Sequence, residues 1–404
     1  MKTPFYERHK SLNAKMVDFH GWVMPLQYSA GIINEHMSVR KRAGLFDVSH
    51  MGRFEIKGPN SLELLQNLMT NDISKLQENQ AIYSPMCYES GGIVDDLIIY
   101  MINRERFLLV VNSSNRQKDF EWILEHAIQK ARSPSSAVTI EDVTDSMALL
   151  ALQGPLAQKV LQEVEADVNF ELIKPFNLVD AKLFGIECII SRTGYTGEDG
   201  FEIFFNSSEL QVWDKLLQVG SKFDIKPAGL GARDSLRLEA GFMLYGNDID
   251  ENITPLEVPL AWTVKFDKIQ EFVGRNALRT NRLTRKLVGF EMLQRKRIAR
   301  RGSEVLLAGS KIGLITSGGF SPTLNKSIGF CFVPPEAPFE QIVDISITKG
   351  CGDAGAGGAD SQVREVEGGG EREVSTMGID KKTTLYPAKI TSTRFYKRSK
   401  EVIM

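Results

Sequence analysis

The 404-residue chain has few cysteines and no long apolar run. Its four cysteines are scattered without a Cys-x-x-Cys pair, which predicts reduced thiols rather than a disulfide or zinc framework. No stretch reaches the roughly 18 consecutive apolar residues that a membrane span needs, and the N-terminal residues lack the pattern of a signal or transit peptide. We therefore expect a cytoplasmic protein that does not associate with a membrane.

Neither sign of charge is in excess. Lys and Arg together number 49 against 51 Asp and Glu, so the formal net charge is −2. A chain this balanced has no global field that would attract nucleic acid, and we expect no nucleic-acid partner. The 42% hydrophobic and 25% charged residues are typical of a globular protein, and the length predicts two or three domains.

Familiar catalytic motifs are also missing. The five histidines show no metal-ligand spacing, so no metal site is predicted. There is no Gly-x-Ser-x-Gly motif, no P-loop, and no Gly-x-Gly-x-x-Gly that leads from a strand pattern into a helix pattern, which removes the usual signs of a hydrolase, an NTPase or a dinucleotide-binding enzyme. If the protein is an enzyme, its chemistry should depend on carboxylates, aromatic rings and arginines that hold an organic cofactor.

Strand and helix patterns alternate over the first 280 residues. Strands are predicted at 53–57, 81–88, 93–101, 107–111, 147–152, 186–191 and 201–205, and helices at 33–42, 117–131, 208–219 and 230–244. The hairpins among these strands favour an α+β fold over a uniform doubly wound sheet. From about residue 285, short strands and Gly or Pro turns predict a small β-barrel.

Residues 351–380 interrupt the barrel pattern. Eight of these thirty residues are glycine, seven are acidic and none is aromatic. Such a composition cannot bury enough apolar surface to offset the entropy of ordering, so it predicts a disordered insertion in a turn between two barrel strands.

Two adjacent carboxylates stand out in an otherwise apolar strand, Asp95 and Asp96. Because side chains alternate across a sheet, the two should face opposite sides, with Asp96 on the same side as Val94 and Ile98. A carboxylate among branched aliphatics is costly unless it meets a partner or a ligand. The alternative is that one Asp caps a turn and the other is solvated.

Two glycine-rich segments carry further polar and aromatic groups. Residues 191–202 include three glycines that allow close approach of a ligand, with Tyr195 as a stacking surface and Glu202 as an acceptor. Residues 227–234 form a glycine-rich helix start with Arg233 in the first turn, where a guanidinium suits a carboxylate or carbonyl. A tight hairpin and a capped helix with a surface ion pair are the structural alternatives.

Together with their flanking residues, these motifs resemble the glycine cleavage T-protein family of tetrahydrofolate-dependent aminomethyltransferases. The matching segments are 15–22 (KMVDFHGW), 44–52 (GLFDVSHMG), 70–72 (TND), 91–96 (GGIVDD), 152–155 (LQGP), 192–200 (RTGYTGEDG), 229–234 (GLGARD) and 316–324 (TSGGFSPTL). They run in order from residue 4 to about 350, and the resemblance resumes at about 383. Residues 351–380 have no counterpart in the family pattern.

The resemblance implies an α+β, three-domain, cloverleaf-like fold with a folate site in its central channel. Residues 1–275 would form the folate-binding region of two interleaved domains, and residues 284–404 the C-terminal β-barrel. The implied reaction transfers a one-carbon unit from the aminomethyl-lipoyl arm of H-protein to tetrahydrofolate. Its products are 5,10-methylenetetrahydrofolate, ammonia and the reduced lipoyl arm.

The resemblance also implies roles for individual residues. Asp96 matches the carboxylate beside the reacting folate nitrogens, and Asp95 should be structural. The residues that match folate-pocket or substrate-opening positions are Tyr83, Tyr195, Glu202, Arg233, Trp262, Arg300 and Tyr396. The match is looser at Trp262, Arg300 and Tyr396.

Three related activities are the alternatives. A folate-binding iron–sulfur repair protein shares the fold but carries a Lys-Gly-Cys signature, whereas this chain reads LYGNDIDEN at 244–252. Sarcosine and dimethylglycine dehydrogenases add a flavin domain for which this chain has no room. A non-enzymatic folate-binding scaffold would leave Asp96 unexplained.

Overall fold

The computed structural model describes residues 1–130, 138–295, 297–348, 372–373 and 383–398. Its α-helices are α1 (Tyr6–Ser11), α2 (Ile32–Lys41), α3 (Ser61–Leu68), α4 (Arg116–Lys130), α5 (Ala157–Gln162), α6 (Gln211–Gly220), α7 (Leu230–Ala240) and α8 (Arg275–Thr280). The strands of the first 280 residues are β1 (Lys15–Phe19), β2 (Trp22–Gln27), β3 (Gly44–Asp47), β4 (Gly52–Lys57), β5 (Gln80–Cys87), β6 (Ile93–Asn103), β7 (Arg106–Val111), β8 (Thr139–Asp142), β9 (Met147–Gln153), β10 (Leu178–Leu183), β11 (Ile186–Ser191), β12 (Gly200–Asn206) and β13 (Lys226–Pro227). Those that follow are β14 (Lys286–Met292), β15 (Glu304–Leu307), β16 (Ser310–Ser321), β17 (Lys326–Val333), β18 (Ile342–Thr348), β19 (Arg372–Glu373) and β20 (Thr383–Thr391).

A five-stranded antiparallel sheet carries the two aspartates of the sequence motif. Its strand order is β5-β6-β7-β4-β8, and one face packs on α3 and α4. Phe54, Leu65, Leu97 and Leu109 form part of the core on that face. Ile98 and Tyr100 point to the other face, where they pack against a second cluster with Leu149. The two faces of β6 therefore lie in different cores, as the period of two residues requires.

The second large sheet supplies the other side of the candidate site. Its order is β10-β11-β12-β9-β3-β13, and only the short pairing between β13 and β3 is parallel. The loop from β11 to β12 contains Tyr195, and Glu202 lies in β12 opposite Ala151. Strand β13, which pairs with β3, is followed almost directly by α7. The helix that carries Arg233 therefore begins beside this sheet.

The C-terminal strands close into a barrel, as the sequence predicts. The order β14-β17-β16-β15-β18-β20 returns on itself because β20 also pairs with β14. Phe290, Val305, Ile315 and Ile345 are fully buried inside it. The division into regions 1–275 and 284–404 stays our proposal for the domain organisation. None of the helices in the described ranges combines the length and apolar character that a bilayer crossing requires.

Two details differ from the sequence-based expectations. The predicted helix 230–244 ends at Ala240, because Gly241 adopts φ +83° and the amide of Phe242 donates back to the carbonyl of Arg237. Val94 packs with Leu97 in the core on the helical side of the sheet, so it does not share a face with Asp96. A register shift between Met86 and Cys87 on the neighbouring strand accompanies this change of side.

The predicted insertion at 351–380 lies outside the described residues except for Arg372 and Glu373. These two residues form β19, which pairs with Leu385 and Thr384 at the edge of the barrel sheet. The pairing of two residues does not test the predicted disordered insertion, which stays a prediction for residues 351–380.

Deletion of residues 351–380, with Gly350 joined to Lys381, should leave the closed ring of six strands intact, because β19 lies outside that ring. A long loop costs only about 1–2 kcal/mol more than a short one, so the free energy of unfolding should rise slightly. Thermal melting together with folate titration checks this. A folded deletion variant without turnover would instead show that the segment takes part in the reaction.

Candidate functional site

Asp96 lies at the centre of a small polar cluster on β6. The hydroxyl of Tyr83, on the neighbouring strand β5, donates to Asp96 Oδ2 at 2.9 Å. The side-chain amide of Asn112, which follows β7, donates to Asp96 Oδ1, also at 2.9 Å. The Tyr83 ring stacks on Trp262, whose indole is 58% exposed. The structure thus brings three of the predicted residues, Asp96, Tyr83 and Trp262, into one cluster.

Asp95 faces the opposite side of β6 but shares a partner with Asp96. It is fully buried and accepts hydrogen bonds from the backbone and side-chain amides of Asn112 and from the Asn115 side chain, at 2.6–2.9 Å. One Asn112 amide nitrogen therefore lies within 2.9 Å of both carboxylates. The two acids face different sides, as alternation predicts, yet Asn112 links them.

The environment of Asp96 disfavours its charge. Burial and the nearby Asp95 carboxylate raise the pKa of Asp96 to about 7, although the hydrogen bonds from Tyr83 and Asn112 act in the opposite direction. A carboxyl group with this pKa exchanges a proton near neutral pH. It is therefore suited to proton transfer as well as to stabilising positive charge.

Tyr195, Arg233 and Glu202 form the second part of the site. The guanidinium of Arg233 lies over the Tyr195 ring at 4.7 Å, and Tyr195 also stacks on Phe242 with ring centroids 5.6 Å apart. The Tyr195 hydroxyl donates to the Met243 carbonyl. Burial raises the pKa of Tyr195, and the Asp96 carboxylate contributes to that rise, so the two parts of the site are close neighbours.

Glu202 is held by two hydroxyl groups. Tyr100 donates to its Oε2 at 2.9 Å and Thr193 at 2.5 Å, which leaves Oε1 without a hydrogen-bond partner among the described residues. Sequence reasoning did not select Tyr100. A signal was available, because Tyr100 follows Asp96 by four residues in β6 and so lies on the same face.

Arg233 is half-buried and has no hydrogen bond or ion pair to any other side chain in the described part of the chain. Burial lowers its pKa, and the neighbouring Tyr195 and Glu202 act against that effect. A guanidinium with five free donors in a partly desolvated position is suited to a carboxylate or carbonyl of a bound molecule. No group of three or more potential metal ligands occurs among the described residues.

Tyr396 lies in a neighbouring ionic cluster rather than in the Asp96 group. The Arg40 guanidinium lies 3.9 Å from the Tyr396 ring centroid and pairs with Glu239 and Glu198, both at 2.9 Å. Glu198 belongs to the same loop as Tyr195. Tyr396 therefore borders the loop that carries Tyr195 and contacts it through Glu198 and Arg40.

Arg300 is the predicted residue that the structure leaves apart from the others. Its side chain is exposed and donates to the Gly318 carbonyl of the barrel at 3.3 Å. Arg398, which sequence reasoning did not select, forms an ion pair with Asp199 at 3.6 Å. Asp199 closes the same loop that carries Tyr195, so Arg398 contacts the end of that loop.

The chain is similar to known proteins over most of its length. The family model for the GCVT N-terminal domain matches residues 5–268, and the one for the glycine cleavage T-protein C-terminal barrel domain matches residues 285–357. An aminomethyltransferase of Caldanaerobacter subterraneus subsp. tengcongensis is 50% identical over 338 residues, covering 82% of this chain and 87% of that protein. One from Halothermothrix orenii is 47% identical over 336 residues, covering 82% and 91%.

A solved structure shows the same fold. The glycine cleavage system aminomethyltransferase T from Bartonella henselae superposes with a TM-score of 0.80 at 30% identity, and the match covers 98% of each chain. Both the sequence matches and this superposition extend over the Asp96 region and the barrel. The chain therefore belongs to the glycine cleavage T-protein family of aminomethyltransferases.

Proposed function

We propose that this aminomethyltransferase binds tetrahydrofolate between the Asp96 cluster and the Arg233 group, and takes the one-carbon unit from the lipoyl arm of H-protein. The observation that carries the proposal is that the half-buried Arg233 guanidinium interacts electrostatically with Glu202, while neither this guanidinium nor Glu202 Oε1 has a hydrogen-bond partner among the described residues. A folate presents both a heterocycle with donors and acceptors and a carboxylate tail. These complement a carboxylate, a guanidinium and aromatic surfaces.

The pocket groups divide the work of binding. Glu202 is preset by Tyr100 and Thr193, so its free oxygen can accept an N–H from a ring without losing rotamer freedom. Tyr195 is fixed by its contacts with Phe242 and Met243 and offers a rigid aromatic face. Arg233 adds positive charge close to both. The aromatic and polar groups together orient a flat ligand.

Asp96 supplies the electrostatic part of the reaction. In the reaction, two folate nitrogens form bonds to the transferred carbon, and its bonds to the lipoyl sulfur and to the amino nitrogen break. The two protons that they lose end on the lipoyl sulfur and on the departing ammonia. Positive charge develops on the carbon and on the leaving amine, and the Asp96 carboxylate stabilises it. With a pKa near 7, Asp96 can also hold one of the moving protons.

The decisive assay combines purified protein, tetrahydrofolate and H-protein loaded with the aminomethyl-lipoyl arm. Ammonia release that requires both partners supports the proposal. Tight folate binding without turnover would favour the iron–sulfur repair alternative, which the aminomethyltransferase relatives already disfavour. The cytoplasmic location stays a prediction from the sequence.

Folate titration of site variants tests the pocket itself. Glu202→Gln and Arg233→Ala should each weaken tetrahydrofolate binding by about 1–3 kcal/mol, because each leaves a partner of the ligand unmatched. Glu187→Gln, on the adjacent strand with a side chain 79% exposed, and Arg8→Ala, from a surface ion pair, serve as matched controls that should bind normally. Unchanged affinity in both pocket variants would show that the ligand binds elsewhere.

A further inference from the structure

A third buried carboxyl group lies behind the two aspartates of β6. Asp119, in the first turn of α4, is fully buried, and no N–H or O–H group of a described residue donates to either of its oxygens. Its hydrogen-bonding neighbour is the Asp95 carboxyl group. Two carboxyl groups can form a hydrogen bond only when one of them carries a proton. The Asp95–Asp119 pair is therefore a proton-sharing pair.

The donors around the pair decide which member carries the proton. Asp95 accepts three N–H groups, from the backbone and side chain of Asn112 and from Asn115. Such donors favour the ionised form of a carboxyl group. Asp119 has no comparable donor within the described ranges. The proton should accordingly lie on Asp119, with its O–H pointing at Asp95.

The other charged and titratable groups around Asp119 do not change this assignment. Asp96 lies beyond Asp95 and adds negative charge, while Lys118 on the same helix adds positive charge. The Lys118 ammonium is occupied by the Val94 carbonyl and the Tyr245 hydroxyl, at 2.7 and 2.9 Å. The phenols Tyr88 and Tyr245 also interact with Asp119, and burial together with Asp119 and Glu251 raises the pKa of both. Burial and the Asp95 charge raise the pKa of Asp119 well above its usual range.

We infer that Asp119 is a positioning residue for the reaction, a protonated acid that donates to Asp95 and thereby fixes, through Asn112, the orientation and proton affinity of Asp96. The path has three contacts: Asp119 to Asp95, Asp95 to the Asn112 amide, and that amide to Asp96 Oδ1. Among the described residues, no hydrogen bond or ion pair joins Asp119 directly to Asp96. It acts only through Asp95, whose charge is one of the causes of the raised pKa of Asp96.

The first test counts protons and needs no substrate, so it is independent of the proposed function. Because the pKa of Asp119 is raised in the folded state, this group holds its proton there at a pH above about 4, at which the unfolded chain ionises it, so unfolding should release more protons from the wild type than from Asp119→Asn. Because the folded-state pKa is raised, the stabilising contribution is greatest at low pH and declines as the pH rises. The pH dependence of the unfolding equilibrium measures the difference.

A matched control is Asp142→Asn. Burial favours a higher pKa for Asp142, but hydrogen bonds from Arg116 and Thr144 outweigh this effect and lower the pKa. Asp142 is therefore ionised in both the folded and the unfolded state near neutral pH. Its replacement should reduce stability without changing the number of protons released. Equal proton release from the wild type and Asp119→Asn would overturn the inference.

A comparison of amides shows where the proton lies. In Asp119→Asn the new amide group can donate to Asp95 in place of the hydroxyl, so the fold should be retained. In Asp95→Asn the new NH2 group faces a donor whichever way the amide is turned: the Asn112 backbone N–H at the Oδ2 position, or the side-chain amides of Asn112 and Asn115 at the Oδ1 position. Asp95→Asn should therefore melt at a lower temperature than Asp119→Asn. The reverse order would place the proton on Asp95 and contradict the assignment.

The second arm follows turnover against pH, and it rests on the proposed function. Asp119→Asn should retain turnover within about threefold and keep the acid limb of the pH profile. Asp119→Leu should shift the midpoint of that limb to a pH about 0.5–1 unit higher, because it removes the hydrogen bond that disperses the Asp95 charge. Identical profiles for the two variants would refute the positioning role. If Asp119→Leu does not fold, a displaced limb in Asp119→Asn alone refutes it. A wild type without turnover would count against the proposed function and leave the proton count to decide on Asp119.

Discussion

Asp96→Asn should lower turnover by roughly 10²-fold or more, the scale seen when one preorganised electrostatic stabiliser is lost. The amide keeps the shape of the side chain, and the Tyr83 hydroxyl and Asn112 can still hydrogen bond to it, so the fold and folate binding should persist. Ammonia release in the carrier-dependent assay measures the effect. Melting temperature and folate titration show that the variant is otherwise intact.

The pH profile provides a second readout for Asp96. If the ionised carboxylate is the active form, wild-type turnover should rise as the pH increases through about 7, the pKa to which burial and Asp95 raise this group. That limb should be absent from the residual activity of Asp96→Asn. A limb that persists unchanged in the variant would assign it to another group.

Asp95→Asn is the comparison that tests the facing argument. Asp95 points into the opposite face of the sheet, so its replacement should mainly reduce stability. The shared amide of Asn112 adds a smaller loss of turnover, because Asp96 then loses part of its orientation. If both variants lost turnover equally and remained equally stable, the assignment of distinct roles to the two carboxylates would be wrong.

Glu239→Ala should destabilise the protein by about 3–5 kcal/mol, the cost of removing one partner from a buried ion pair. The Glu239 carboxylate accepts hydrogen bonds from Arg40, Ser321 and Thr323. It thereby links three parts of the chain that are far apart in sequence. Without it, Arg40 is left buried with Glu198 as its remaining carboxylate partner. Chemical denaturation measures the change in the free energy of unfolding.

Asp214→Ala is the matched control for Glu239→Ala. Asp214 pairs with Arg8 at the surface, with side chains 54% and 29% exposed, so its loss should cost no more than about 1 kcal/mol. The pH dependence supports the distinction. Burial favours a higher pKa for Glu239, but His36 and Arg40 outweigh this effect and lower the pKa to about 2. The contribution of Glu239 to the free energy of unfolding should therefore be present above about pH 4.5 and be lost as the pH falls toward 2. Equal losses in the two variants would show that the cluster adds no more than a surface pair.

Local patterns were enough to predict most elements. The three predicted strands 81–88, 93–101 and 107–111 correspond to β5, β6 and β7, and the predicted helix 117–131 to α4. Alternating and 3.6-residue periods are properties of the chain itself, so they can be read without tertiary information. The helix that begins at Leu230 was predicted too long, because the apolar pattern continues past the left-handed Gly241.

Contacts between distant residues could not be predicted in this way. Alternation placed Asp95 and Asp96 on opposite faces. Nothing in the pattern showed that Asn112, which directly follows the next strand, β7, would contact both. Arg40 and Glu239 are 199 residues apart, and their pairing depends on how α2 packs against α7. The resemblance to a family supplied the pocket residues, while the hydrogen bonds that orient them required coordinates.

The Glu239 cluster also imposes an order on biosynthesis. Its backbone carbonyl receives the amides of Phe395 and Tyr396, and the Tyr396 ring covers Arg40. Arg40 and Tyr396 are separated by 356 residues (396 minus 40), so at about 5–20 residues per second the ribosome delivers the second about 20–70 seconds after the first. Until then the loop bearing Glu198 and Tyr195 lacks its outer support. A nascent chain released before residue 395 would therefore lack both backbone hydrogen bonds to Glu239 and the ring that covers Arg40.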